Sequence, residues 1–225
     1  MAPNPSGTRE RLIATAESLF AERGIAGVSL REINTAAGQR NSTALQYHFG
    51  DREGLLRAVL AKHAPEVESR RHALLDEYEA SRNGAGGDAG PDGLRTLAGA
   101  LVRPAATKLT DLDGGRAYLR IMAQLVHVPP VAEKTANDSR GSLNRWRRLV
   151  GDVLPDVAVT RLHRRYTAIR ITFVELALRA EARPARDERL FTSHLVDLVT
   201  AILDAPLSSE TSRLLDERPR TTRRT

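Results

Sequence analysis

Residues 28–56 read VSLREINTAAGQRNSTALQYHFGDREGLL, and the punctuation of this stretch decides the fold. Ser29 followed three positions later by Glu32 is a capping box. The hydroxyl takes the amide at the third helical position and the carboxylate reaches back to the cap amide. The helix so opened is short, with Leu30, Ile33, Ala36 and Ala37 inward, and Gly38 ends it. Gln39, Arg40 and Asn41 form a turn, and Asn41 or Ser42 caps a third helix running to about Phe49. Leu45 and Phe49, four apart, are the inward residues of that helix. Asp51 caps a fourth helix carrying Leu55, Leu56, Val59 and Leu60. Upstream, Thr8 caps a first helix with Leu12, Ile13, Ala16, Leu19 and Phe20 on its apolar face, and Gly24 stops it where a positive φ is needed.

The third helix is unusual for what it lacks. Outside Leu45 and Phe49 it offers no large apolar side chain, and it presents Ser42, Thr43, Gln46, Tyr47 and His48 instead. These are hydrogen-bonding groups of modest size on one short rod. A B-form major groove admits one α-helix and displays donors and acceptors to such side chains. Helix, glycine-bearing turn and polar helix make a helix-turn-helix, in which the first helix braces and the second reads bases. Gln46 has the amide that bonds adenine bidentately.

The rest of the 225 residues reads as helix as well. No stretch alternates Val, Ile and Thr with polar residues, so strands have no foothold. Residues 83–91, NGAGGDAGP, form a loop, and the arginine-rich end after Pro206 is expected to be a disordered tail. Pro65 is expected to kink or restart the fourth helix. Later helices are expected near 92–109, 115–128, 138–153, 157–182 and 187–204, with Pro129, Pro130, Pro155 and Pro184 between them. Two successive amphipathic helices at 157–182 and 187–204 suit an internal core or a four-helix dimer interface equally well. Arg145, Trp146, Arg147 and Arg148 read as a charged helix face anchored by one tryptophan.

Composition narrows the chemistry. There is no cysteine, so disulfides, iron–sulfur clusters and thiol catalysis are excluded. The net charge of +6 favours a polyanionic partner without naming one, and residues 1–63 contribute +2. No window approaches 18 apolar residues and residues 1–7 lack a leader-like apolar run, which predicts a cytoplasmic protein with no membrane partner. The six histidines show no metal-ligand spacing, and no nucleophile elbow, phosphate loop or dinucleotide fingerprint appears. The expectation is a protein that is not an enzyme and carries no cofactor. A helical enzyme or ligand carrier is the alternative from another class, and it would need a catalytic cluster that the sequence does not supply.

About 50 consecutive residues resemble the tetracycline-repressor (TetR) family of bacterial transcription regulators. The likeness rests on Leu12, Ile13, Ala16, Leu19, Phe20 and Gly24, then Val28, Ser29, Ile33, Ala37 and Gly38. It continues through Leu45, His48 and Phe49 to Arg52, Glu53, Leu55 and Leu56. Two departures stand out: the stretch from Gly38 to Leu45 is one residue longer than the commonest pattern, and Gln46 stands where tyrosine is usual, with the aromatic displaced to Tyr47. The resemblance implies an all-α fold: an N-terminal three-helix helix-turn-helix domain (8–50), a larger helical regulatory and dimerisation domain (51–205) and a flexible tail (206–225). It implies a homodimer joined through 157–182 and 187–204 on a palindromic operator, acting as a repressor released by a small-molecule effector. A same-family activator, or a regulator obeying a protein partner, is the alternative.

Ser42, Thr43 and Tyr47 match family positions that face bases or nearby sugar-phosphate, and His48 and Arg52 match phosphate contacts. Arg40 and Asn41 lie in the lengthened turn and complete the expected DNA-contacting set. Thr8 and Ser29, at helix N-termini, are read either as caps alone or as further phosphate contacts. Arg52, a cation in the first turn of its helix, opposes the helix dipole and hints at an anion that compensates. For the effector the candidates are Tyr118, Met122, Gln124, His127, Arg170 and Thr172, each of which is also an ordinary core or groove residue.

Overall fold

The computed structural model of the chain describes residues 5–39, 44–84, 92–126, 141–154, 158–182 and 187–217. Among these residues all regular structure is helical. The elements are α1 (Pro5–Arg23), α2 (Leu30–Ala36), α3 (Ala44–Phe49), α4 (Arg52–Gly84) and α5 (Gly93–Ala106), which tightens into a 3-10 turn at Thr107–Leu109. They continue with α6 (Gly115–Leu125), α7 (Ser142–Val153), α8 (Ala158–Glu181), α9 (Glu188–Asp204) and α10 (Ser209–Asp216). The all-α expectation holds, and the later helices fall where the proline boundaries placed them.

Three local expectations need correction. Thr8 caps nothing: α1 begins at Pro5, and Thr8 is buried within it with its hydroxyl facing Arg11. Pro65 neither breaks nor restarts α4, which runs for 33 residues through it. Ala61 and Pro65 both lie on the solvent face, where water can take the carbonyl freed by the missing amide. The chain after Pro206 is not wholly irregular either, because Ser208 accepts from the Thr211 amide and starts α10.

Two apolar clusters organise the molecule. The first gathers Leu12, Ala16, Phe20, Val28, Ile33 and Leu45 from α1–α3. It is completed from beyond residue 50 by Leu55 and Val59 of α4 and by Ile121 and Leu125 of α6. The three N-terminal helices therefore share their core with α4 and α6. The second cluster packs Leu75, Leu97, Leu101, Trp146, Phe173 and Leu195, and extends along α8 and α9. Trp146 is fully buried and donates its indole N–H to the Leu97 carbonyl at 2.7 Å, which ties α7 to α5. It is the anchor expected among the arginines of that helix. Leu60 and Met122 are half-buried and pack against both clusters.

A polar junction joins the same two bodies. Glu17 of α1 accepts from Lys62 at 2.9 Å and lies 2.6 Å from His63 Nε2, both on α4. Lys62 also reaches Asp113, and Lys108 bridges Glu66 and Asp111. Gly114 has φ +85°, and a Cβ there would lie 2.1 Å from Glu17 Oε2. Only glycine lets the turn before α6 close over that carboxylate. Among the described residues no single helix is long and apolar enough to cross a membrane.

Candidate nucleic-acid interface

The reading element is built outward from its caps. Ser29 Oγ accepts from the Glu32 amide at 3.1 Å, and Glu32 Oε2 accepts from the Ser29 amide at 2.7 Å, so the capping box forms as its sequence dictates. Arg23 adds a hydrogen bond to Glu32 from the end of α1 at 2.8 Å. The Ser29 bonds, and then Arg23, pull the Glu32 carboxyl down to about 2. The hydroxyl and amide of Ser29 are thus both engaged in capping. Gly38 takes φ +70° and turns the chain out of α2, with the Gln39 amide bonded to the Asn34 carbonyl at 3.0 Å.

Across the turn, α3 shows the division of labour its composition suggested. Leu45 is buried in the N-terminal cluster and Phe49 is half-buried, with the Arg9 guanidinium 5.4 Å from its ring centroid. Gln46 is exposed, and Tyr47 is 84% exposed. The ring of His48, half-buried, meets Tyr47 edge-on at 5.1 Å. The rod therefore presents an amide, a phenol and an imidazole to solvent, on a base fixed by Leu45. Arg40, Asn41, Ser42 and Thr43 lie outside the described residues, as does the extra residue of the turn. Asp51 accepts from the Gly54 amide at 2.7 Å and caps α4 as expected.

Arg52 Nη1 donates to the Ile25 carbonyl in the α1–α2 connection, which ties the start of α4 to the turn before α2. Gln124, expected to meet an effector, is also committed elsewhere. Its Oε1 accepts from the Ile25 amide at 2.8 Å, and its Nε2 donates to the Phe20 carbonyl at 3.0 Å. A side chain of α6 thereby clips both sides of the Gly24 turn at the end of α1.

The other effector candidates are not brought together. Tyr118 is buried against the His63 ring, 5.0 Å between centroids, and burial pushes its phenol up to about 12. Thr172 is buried with its hydroxyl donating to the Ala168 carbonyl at 2.8 Å, an ordinary helical satisfaction. Arg170 is exposed and reaches only Thr167, at 3.4 Å. His127 lies outside the described residues. Gln124 also lines an open groove of about 270 Å³ between α1, α6 and α8, alongside Ala21, Arg120, Val174, Leu178 and Glu181.

A polar, outward-facing third helix on a braced second helix, carried by a larger helical body, defines a helix-turn-helix protein. Residues 12–59 match the family model of bacterial regulatory proteins, tetR family. The HTH-type transcriptional regulator BetI 2 of Chromohalobacter salexigens is 27% identical over 148 residues, 59% of this chain and 70% of that protein. Solved structures share the fold over nearly the whole length. A tetR-family regulatory protein from Rhodococcus RHA1 aligns with a TM-score of 0.57 at 20% identity, covering 87% of this chain and 96% of its own. NalD, the secondary repressor of the MexAB-OprM multidrug efflux pump in Pseudomonas aeruginosa, aligns with a TM-score of 0.55 at 18% identity, covering 87% and 96%.

Proposed function

We propose that this protein is a homodimeric repressor that binds a palindromic DNA operator through α2 and α3 and is released by a small-molecule effector. The observation that carries the DNA reading is the polarity of α3: Leu45 is held inside while Gln46 and Tyr47 stand in solvent. Gln46, Tyr47 and His48 supply base and phosphate contacts, together with Arg40, Asn41, Ser42 and Thr43. A DNA partner places the protein in the cytoplasm. One copy with a local charge of +2 attracts duplex weakly, so affinity calls for two copies working together.

Leucines left in solvent on the last long helices support a dimer. Leu162 and Leu178 on α8, and Leu190 and Leu198 on α9, are exposed even though both helices bury a full apolar face inward. Pairing of two copies across α8 and α9 would cover them and make a four-helix contact. It would also set two α3 helices in successive major grooves, about 34–36 Å apart.

Effector control is supported by how the two bodies are joined. Gln124, Ile121, Leu125 and the Glu17–His63 pair tie α1 to α4 and α6, so a shift in α6 moves the reading element. An effector acts only through its preference for one of the two geometries. Selection from random duplex, followed by gel shift across a salt series, tests the reading. A recovered palindrome bound by a dimer, with affinity falling steeply as salt rises, supports it. A monomer that retains all duplexes equally refutes it.

A further inference from the structure

Among the described residues, several inward-facing cations sit between two carboxylates. Lys108 sits between Glu66 and Asp111, and Arg145 between Asp76 and Glu79. A different arrangement lies where α4, α7 and α8 meet. Arg71 of α4 is only 3% exposed, and its Nη1 donates to Ser142 Oγ, itself buried, at 2.8 Å. The nearest carboxylate, Glu68, is 3.9 Å away and already accepts from the Ser142 amide at 2.6 Å. Arg71 Nε is buried with no hydrogen-bond partner.

Two more guanidiniums share this region. Arg147 bonds Asn144 Oδ1 at 2.8 Å, lies 5.7 Å from the Tyr166 ring centroid, and is half-buried on the solvent side. Arg165 donates to the Arg147 carbonyl at 2.8 Å and leaves its own Nε buried without a partner. Among the described residues neither Arg147 nor Arg165 has an ion pair. Burial, together with mutual repulsion, holds all three guanidiniums below the usual arginine range. Gly141 precedes α7 without a side-chain cap, so the positive end of that helix faces the same place. Three guanidiniums share one carboxylate, Glu68, and two of them keep a buried Nε without a partner, an arrangement that a further anion completes.

We infer that Arg71, Ser142 and Arg147, with Arg165 behind them, form a site for the oxyanion group of a small molecule, a carboxylate or a phosphate. The planar fork of arginine suits either group. This rests on the reading of the helical body as the effector-binding part, and it gives that effector a negative charge. It can fail while DNA binding stands, because its test uses no DNA.

Trp146 is the one tryptophan in the chain and neighbours Arg147 on α7, so its fluorescence reports on the site directly. The full chain is titrated with inorganic phosphate and, separately, with acetate, chloride holding ionic strength constant, while the Arg71 Nε–H resonance is followed in parallel. A saturable response to either anion is expected. Arg147→Met should weaken it about tenfold, the loss of one charge-assisted hydrogen bond. Arg148→Met, which removes an exposed charge from the same helix, should not. Saturation by phosphate alone assigns a phosphate group, by acetate alone a carboxylate, and by both the oxyanion class. No saturable response to either anion, or unchanged binding in Arg147→Met, overturns the inference.

Discussion

The side chain of Gln124 accepts a hydrogen bond from the backbone amide of Ile25 across 99 positions of sequence, at 2.8 Å. Gln124 Nε2 donates to the Phe20 carbonyl, so α6 holds the turn that ends α1 from both sides. The Ile25 carbonyl is held in turn by Arg52 at the start of α4. One residue of the α1–α2 connection is thus pinned from two helices of the larger body, which fixes where α2 and α3 point.

Gln124→Leu removes both bonds and leaves the Ile25 amide unpaired, while the Phe20 carbonyl keeps its bond from the Gly24 amide. A loss of about 1–3 kcal/mol in urea-unfolding stability is expected. Hydrogen exchange at the Ile25 amide should accelerate. Gln124→Glu keeps the acceptor for Ile25 and loses the donor to Phe20, so Ile25 should stay protected in that variant. Equal exchange in both variants and the wild type would mean the clip is idle.

Tyr47→Ala touches a side chain that contributes little to the folded interior. Stability should change by no more than about 0.5 kcal/mol, while duplex affinity falls by about 1–3 kcal/mol. Thermal melting and gel shift on the same preparation measure the two separately. A large stability loss would place Tyr47 inside the molecule.

The capping box makes an acid-side prediction. The Glu32 carboxyl is held at about 2, below its ordinary value of 4.5. A depressed folded-state value means the carboxylate's contribution is fully present above about 4.5 and is lost as the pH falls through about 2. Acid titration of the helical signal should therefore lose a component between these limits in the wild type. Glu32→Gln, which can still accept from the Ser29 amide but does not titrate, should lack that component.

Leu190→Glu paired with Leu198→Glu puts charge on the exposed apolar side of α9. Light scattering should show dimers for the unmodified chain and monomers for the variant, with the helical signal retained because neither residue is in the core. A dimer that survives both substitutions would put the contact elsewhere.

Local chemistry was legible in the sequence and long-range chemistry was not. Ser29 with Glu32, Gly24, Gly38 and Asp51 act within a few residues of themselves, so their spacing alone specifies what they do. Thr8 misled because an equally good helix start lies three residues earlier, at Pro5, the residue type favoured in a first turn. Pro65 misled because its cost depends on which face it occupies, and that is set by tertiary packing. Arg52 and Gln124 were noticed as polar residues awaiting partners. Their partners are backbone groups 27 and 99 positions away, and a backbone acceptor leaves no signature in sequence. The same limit hid the pairing of Glu17 with His63 and the unpartnered Nε of Arg71.

The account stands on α3 reading base edges as one of a pair, and duplex selection with Gln46→Ala beside the unmodified protein tests that most directly. The prediction is a palindrome from both, with preference relaxed at one equivalent base pair in each half-site by the substitution, worth about 1–3 kcal/mol per site. An identical consensus from both proteins, or relaxation at one half-site only, would contradict it.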